Sequence, residues 1–176
     1  MSAEINSIED PRIEDPRKLM MTEIMPPQAA NFSGHVHGGY LMMLLDRVAY
    51  ACAARYTGQY AVTLSVDQIL FKEPIQVGEL VTFYACVNFV GKTSLEIGIK
   101  VVAENIQKKS VRHTNTCYIT MVSIDSETGN PKAVPPLEIR NEIERHRFEE
   151  GKLRRQMRFD YQAQHLAHKA ATRGNG

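Results

Sequence analysis

Hydrophobic and polar positions follow two periods along this chain, and the change between them falls near residue 58. From Tyr40 to about Tyr56 the apolar residues Leu41, Leu44, Leu45, Val48, Ala49 and Cys52 recur at intervals of three and four. No proline or glycine interrupts them, and Thr57-Gly58 supplies a stop, so one long central helix is predicted. Beyond it the period drops to two. In Ala61 to Phe71 the residues Val62, Leu64 and Val66 face one way and Thr63, Ser65 and Asp67 the other. After the turn KEPIQVGE, Leu80 to Val90 is rich in Val, Phe and Tyr. The Gly91-Lys92 turn leads to Ser94 to Ala103, where Leu95, Ile97, Ile99 and Val101 alternate with Glu96, Gly98 and Lys100. A polar turn at Ile106 to Ser110 precedes His113 to Ile124, where Tyr118, Thr120 and Val122 alternate with Cys117, Ile119 and Met121. Four long strands with short links predict an antiparallel meander. A shorter strand is read at Leu19 to Met25, before Pro26-Pro27.

One long helix and several long strands predict an α+β chain with an antiparallel sheet wrapped around the helix. The helix carries apolar residues on more than one side, as a helix enclosed by a sheet should. Residues 1–18 contain IEDPR twice, at Ile8–Arg12 and Ile13–Arg17, and read as a solvated, flexible tail. The domain is expected over 19–136. Residues 137–176 form a charged helical extension with sparse apolar positions at Ile139, Ile143 and Phe148. It cannot hold a core alone, and is expected to pack on the outside or across a subunit boundary.

With 43% hydrophobic and 23% charged residues the chain can bury a core. Lys plus Arg is 21 against 20 for Asp plus Glu, so no net field draws nucleic acid or an anionic membrane. Cys52, Cys86 and Cys117 are odd in number and far apart, which fits reduced thiols in an intracellular protein. Apolar runs such as Leu41–Leu45 fall far short of the roughly 20 residues that cross a membrane. No secretory signal or mitochondrial presequence is visible, and a cytoplasmic location is expected.

Chemistry concentrates in NFSGHVHGGYLMMLLD, Asn31 to Asp46. Gly38 and Gly39 precede the helix, where glycine lets a ligand come close. The first helix amides lack intrahelical acceptors and suit an oxygen gaining negative charge; the same glycines serve ordinary helix-start turns. Asp46 follows Leu44 and Leu45 in the most apolar helix, where a lone carboxylate must be exposed, paired or functional. His35 and His37 alternate with valine but lack further ligands at metal spacing, and read as hydrogen-bonding loop residues; no metal is expected. No serine-hydrolase elbow, dinucleotide fingerprint or P-loop is present.

The segments ANFSGHVHGGYLMMLLDRVAYACAARY and TLSVDQILFKEPIQVGELVTFYACVNFVGKTSLEIGIKV resemble the hotdog fold, specifically the bacterial and cytosolic acyl-CoA thioesterases. They share its asparagine loop, Gly-Gly turn, helix with aspartate, Phe-x-x-Pro-Ile-x-x-Gly turn and Gly-Lys-Thr-Ser turn, over residues 18–138. The resemblance implies a homodimer at minimum, commonly a trimer of dimers, with the active site at the dimer interface. Asp46 then matches the catalytic aspartate, acting as general base on a water or as a nucleophile giving a mixed anhydride, and Asn31 an asparagine given by the partner protomer. The Gly38-Gly39-Tyr40 backbone matches the end that polarises the thioester carbonyl.

By analogy Lys92, Thr93 and Ser94, with Arg112 near them, meet coenzyme A; the alternative is a plain polar hairpin turn. Acyl-CoA is the implied substrate, with no cofactor beyond the coenzyme A it carries. Many relatives have a bulky apolar residue where His37 stands, which bears on acyl preference. Two rivals stay open: a hotdog hydratase or dehydratase using a histidine, and a non-catalytic acyl-CoA-binding regulator. Arg154, Arg155 and Arg158 form either a solvated helix face or a nucleotide site.

Overall fold

The computed structural model describes residues 15–173. Its elements are β1 (Lys18–Ile24), a single 3-10 turn (Pro27–Ala29), α1 (Gly38–Thr57), β2 (Tyr60–Ile69), β3 (Leu80–Val90), β4 (Ser94–Asn105), β5 (Ser110–Ile124) and α2 (Glu142–Arg173). The helix and strand expectations hold to within a few residues. Gly58 ends α1 in the left-handed conformation (φ 65°), its N–H returning to the Ala54 carbonyl.

The sheet has five strands in the order β1-β3-β4-β5-β2, every neighbouring pair antiparallel. The four-strand meander is therefore corrected to three strands, β3-β4-β5. β2 pairs with β5 at one edge, and residues 70–79 carry the chain across to β3. That connection is no tight turn: Val36 N–H donates to the Ile75 carbonyl and His35 bridges Gln76, so it lies along the asparagine loop.

One face of α1 meets the sheet. Leu41, Leu44, Leu45, Val48, Ala49, Cys52 and Ala53 are buried against the inner residues of the strands, among them Phe83, Leu95, Ile97, Ile99, Ile119 and Met121. Met42, Met43 and Tyr50, on the far side of α1, remain exposed in the single chain, so the sheet curves around half the helix rather than all of it.

The ladders carry register shifts at four places, Thr63/Ser65 and Val66/Ile69 in β2, Val87/Phe89 in β3 and Val101/Val102 in β4, and these break the alternation read from the sequence. Residues opposed across an antiparallel pair share a face. Thr63 opposes buried Met121 on the α1 side, whereas Ser65 opposes Thr120 on the other side, so Leu64 is an extra residue. Thr63 and Ser65 thus point to opposite faces, against expectation. In β3, Asn88 is likewise extra, and Phe89 comes to oppose Glu96 on the outer face.

The first half of α2 covers that outer face. Phe89 packs on Phe148, ring centroids 5.0 Å apart. Gly151 allows the approach, since a Cβ there would stand 2.8 Å from Phe89 Cβ. Glu96, 3% exposed, receives a two-pronged bond from Arg154 (2.9 and 2.7 Å), whose guanidinium lies 3.6 Å over the Tyr118 ring. Arg158 likewise donates to Asp67 on β2 and Thr120 on β5, so Arg154 and Arg158 are engaged with the sheet, not a solvated face. Residues 15–17 also depart from the tail expectation: Arg17 is buried, paired with Asp15 and Glu144. The rest of the repeat lies outside the described residues. Among those described, no helix is long and apolar enough to cross a membrane.

Removing one partner of a buried ion pair strands the other charge. Arg154→Ala is expected to cost about 3–5 kcal/mol, read from the urea midpoint, while Lys152→Ala on the exposed side stays within about 0.5 kcal/mol.

Candidate active site

The loop before α1 is built on Asn31. Its Oδ1 accepts from Ser33 N–H (2.9 Å), Ser33 Oγ–H (2.8 Å) and His35 N–H (3.1 Å), an Asx turn that closes the loop on itself. The carbonyl is thus committed, leaving the Nδ2 amide as the donor that can reach outward. His37 caps α1, its Nδ1 accepting from Gly39 N–H at 2.9 Å. The ring therefore carries its proton on Nε2 while it caps. Both Tyr40 and Leu41 N–H return to the His37 carbonyl. Of the three amides singled out in the sequence, Gly39 and Tyr40 already have acceptors in the chain. This narrows the open position to Gly38.

Gly38 and Asn31 line one cavity of about 450 Å³, shared with Leu41, Phe71, Pro74 and Ile75. A larger cavity, about 940 Å³, opens on the other face of the sheet beneath the start of α2. It contains none of the residues expected to be catalytic, and the smaller one, with the helix start in its wall, is the candidate site.

Asp46 follows Gly38 by two turns of helix, about 12 Å along the axis. It lies on the open side of α1 with Met42, Met43 and Arg47. Its Oδ1 accepts a hydrogen bond from Thr63 Oγ at 2.5 Å. The cost of a carboxylate in an apolar helix is thus met by exposure and one hydroxyl partner. Within a single chain Asp46 does not line the Asn31 cavity. Thr63 was not singled out in the sequence; its signal was a hydroxyl opening the polar stripe of β2.

The Lys92, Thr93 and Ser94 turn joins β3 to β4, and its backbone holds neighbouring segments: Lys92 O accepts from Val134 N–H and Thr93 O from Ser123 N–H. Arg112 is not near it, which corrects the expected grouping. Ser94 opposes Val122, and Arg112 opposes Ala103, nine residues further along β4, or roughly 30 Å. Arg112 instead grips Glu79 with two bonds of 2.7 Å and donates to the Pro74 carbonyl. Glu79 also accepts from Gln76 N–H. This clamp fixes the segment 74–79, of which Pro74 and Ile75 line the candidate cavity.

Electrostatics sort the remaining nucleophiles. Burial pushes the Cys52 and Cys117 thiols up to about 12, so neither ionises near neutrality. Tyr40, whose hydroxyl donates to Glu23 at 2.8 Å, is likewise raised by that bond. The Arg112 guanidinium holds the Glu79 carboxyl below its ordinary 4.5. Among the described residues no group of three or more His, Cys, Asp or Glu is arranged to hold a metal.

A curved sheet backed by one long helix, with a polar glycine loop at the helix start, is the architecture of the thioesterase superfamily, whose family model matches residues 33–110. Protein VdlD of Helicobacter pylori is 48% identical over 144 residues, 82% of each chain. The uncharacterized acyl-CoA thioester hydrolase YkhA of Bacillus subtilis is 32% identical over 118 residues, 67% of this chain and 68% of that one. An apo-hexameric acyl-CoA thioesterase superposes with a TM-score of 0.80 at 28% identity, covering 84% of this chain and 94% of the other. The acyl-CoA hydrolase of Staphylococcus aureus, solved with butyryl coenzyme A and coenzyme A, gives 0.77 at 26% identity, over 88% and 96%. That hydrolase has also been solved as alanine variants at an asparagine, an aspartate and a threonine. The chain belongs to the acyl-CoA thioester hydrolases.

The Glu79–Arg112 clamp has a definite pH signature. Because Glu79 is depressed in the fold, its pairing stabilises above the ordinary carboxyl value of 4.5 and is lost as pH falls through the lower folded value. The gap in urea midpoint between wild type and Glu79→Gln is expected to be present at pH 7 and to shrink by pH 3.

Proposed function

We propose that the chain hydrolyses acyl-CoA to a fatty acid and coenzyme A at a site shared between two protomers. Asp46 takes a proton from a water molecule, whose oxygen attacks the thioester carbonyl. The carbonyl becomes an oxyanion facing the Gly38 N–H at the positive end of α1. Collapse of the tetrahedral intermediate breaks the carbon–sulfur bond and expels coenzyme A thiolate, which takes up a proton to complete the balance. A thiol is far more acidic than an alcohol, so departure needs no metal or other cofactor. Asn31 of the neighbouring protomer donates from Nδ2 to the water or the acyl carbonyl.

The observation that carries this reading is a spacing. The asparagine, aspartate and threonine replaced in the Staphylococcus hydrolase stand 15 and then 17 residues apart. Asn31, Asp46 and Thr63 repeat both intervals, and the last two are joined by the 2.5 Å hydrogen bond. A second protomer is supported by what lies bare beside Asp46. Met42, Met43 and Tyr50 of α1 are exposed, and Tyr60, Val62, Leu64 and Val66 are exposed on the edge strand β2. An apolar edge of this kind calls for a cover. A homodimer supplies it, and a trimer of dimers is proposed by analogy with the hexameric thioesterase. Lys92, Thr93 and Ser94 are proposed to meet coenzyme A; Arg112 is left out, its fork being occupied by Glu79. The proposed location is the cytoplasm.

Thiol release from a panel of acyl-CoA esters tests the assignment. Asp46→Ala and Asn31→Ala are expected to lose at least ~100-fold in turnover while keeping the wild-type mass in solution. Thr63→Ala, which removes one bond to a charged group, is expected to lose about 10-fold. Dimers mixed from Asn31→Ala and Asp46→Ala chains should recover about a quarter of wild-type activity, one intact site in the mixed half of a two-fold population. Full-rate hydrolysis by Asp46→Ala sinks the base; no recovery on mixing sinks the shared site. Hydration of enoyl-CoA without thiol release hands the function to the hydratase rival.

A further inference from the structure

The outer face of β2 carries a contact that the reaction scheme does not use. Arg158, on α2, directs one nitrogen, Nη1, at three acceptors: Ser65 Oγ at 3.1 Å, Asp67 Oδ1 at 3.0 Å and Thr120 Oγ at 2.7 Å. The pair is largely shielded, with 14% of the Arg158 and 16% of the Asp67 side chain exposed. Two acceptors lie on β2 just past the Leu64 bulge and the third on β5 opposite it.

Only the bulged register satisfies both faces of β2. If Ser65 kept its place opposite Thr120 in a regular ladder, Thr63 would move opposite Val122 and turn to the outer face, away from Asp46. If instead Thr63 kept its place opposite Met121, Ser65 would move opposite Ile119 and turn inward, away from Arg158. The bulge is held from the α1 side by the Thr63–Asp46 bond and from the α2 side by Arg158. Asp67 strengthens the second hold. Its other oxygen, Oδ2, is buried without a hydrogen-bond partner, so losing Arg158 would leave this carboxylate without its cation and drive the strand toward water.

We propose that Arg158 is a positioning residue for hydrolysis, fixing from the far side of the sheet the bulge that aims Thr63 at Asp46. The inference rests on the role of Asp46 given above. It makes the C-terminal helix part of the catalytic apparatus through two strands, with no contact to substrate.

The test combines steady-state kinetics of acyl-CoA thiol release with a double-variant cycle. Arg158→Ala is expected to lower kcat about 10-fold, comparable to and not beyond Thr63→Ala, with KM within about 3-fold of wild type. Arg158→Lys should recover part of the loss. In a Thr63→Ala background, Arg158→Ala should have no further effect on kcat, because the route from Arg158 to Asp46 is already cut. Thr120→Val, which keeps the shape and removes the shortest of the three contacts, should lower kcat in the same direction and serves if Arg158→Ala does not fold. Unchanged kcat in a folded, oligomeric Arg158→Ala overturns the proposal, as does a loss that multiplies through undiminished in the Thr63→Ala background. Asp46→Ala run alongside separates the two failures. At full rate it removes the reading of the site; at background rate, with Arg158→Ala at wild-type turnover, it removes only the positioning role.

Discussion

The packing of α1 against the concave face of the sheet is the constraint on which the other features depend. Leu41, Leu44, Leu45, Val48, Ala49, Cys52 and Ala53 must all face the strands, and that fixes the rotation of the helix. With 3.6 residues per turn, the position after Leu45 is carried around to the open side. Asp46 is thereby exposed without any special arrangement for it. The same packing pins the helix start beside the 70–79 crossing segment, so that Gly38 opens into the cavity lined by Asn31. One hydrophobic stripe thus sets both chemical features of the site, about 12 Å apart along one rigid rod.

Ionic contacts hold what hydrophobic packing leaves free. Strands can slide by two residues without changing face, and a bulge can migrate, so apolar burial alone does not select one register. Three buried or shielded carboxylates settle it. Glu79 binds Arg112 across the start of β3, Glu96 binds Arg154 beneath α2, and Asp67 binds Arg158 beside the β2 bulge. Such pairs add little net stability over an apolar equivalent, but leaving one half unpaired costs several kcal/mol. They therefore act against wrong arrangements more than for the right one. In each of the three the arginine comes from an element later in the chain than its acid, so the pairs join segments that local sequence does not connect.

What the sequence made legible was local. The period of 3.6 marked α1 and the period of two marked four strands, because burial on one face imposes those periods wherever it occurs. Asn31, Gly38 and Asp46 stood out because glycine before a helix and a carboxylate within an apolar one are costly choices. Strand order was not legible: KEPIQVGE has the composition of a turn, and nothing in it says that β2 pairs with β5 instead of β3. Bulges were invisible because Thr63-Leu64-Ser65 alternates correctly in sequence while changing face in space. Arg112 was misplaced for a related reason. Its basic charge suits a phosphate, and only the fold reveals Glu79 already within its grip. Arg154 and Arg158 looked like a solvated face because their acids lie some sixty and ninety residues earlier.

The single chain also shows why the proposed site needs a second copy. Asn31 and Gly38 share a cavity at the start of α1, while Asp46 faces outward across the side of the same helix, next to an edge strand with apolar residues bare. In the proposed homodimer a two-fold axis beside that edge would present each surface to its own copy, so any residue near the axis on one chain would meet its counterpart's surroundings on the other. A helix cannot bend 12 Å of its own length to bring its first amide and its ninth residue to one carbonyl. Two antiparallel helices related by symmetry could, as the proposal requires, because the start of one would then lie beside the middle of the other. The proposed division of labour between Asp46 and a partner's Asn31 is therefore the one a rigid helix would impose if its open end and its only exposed carboxylate served the same thioester.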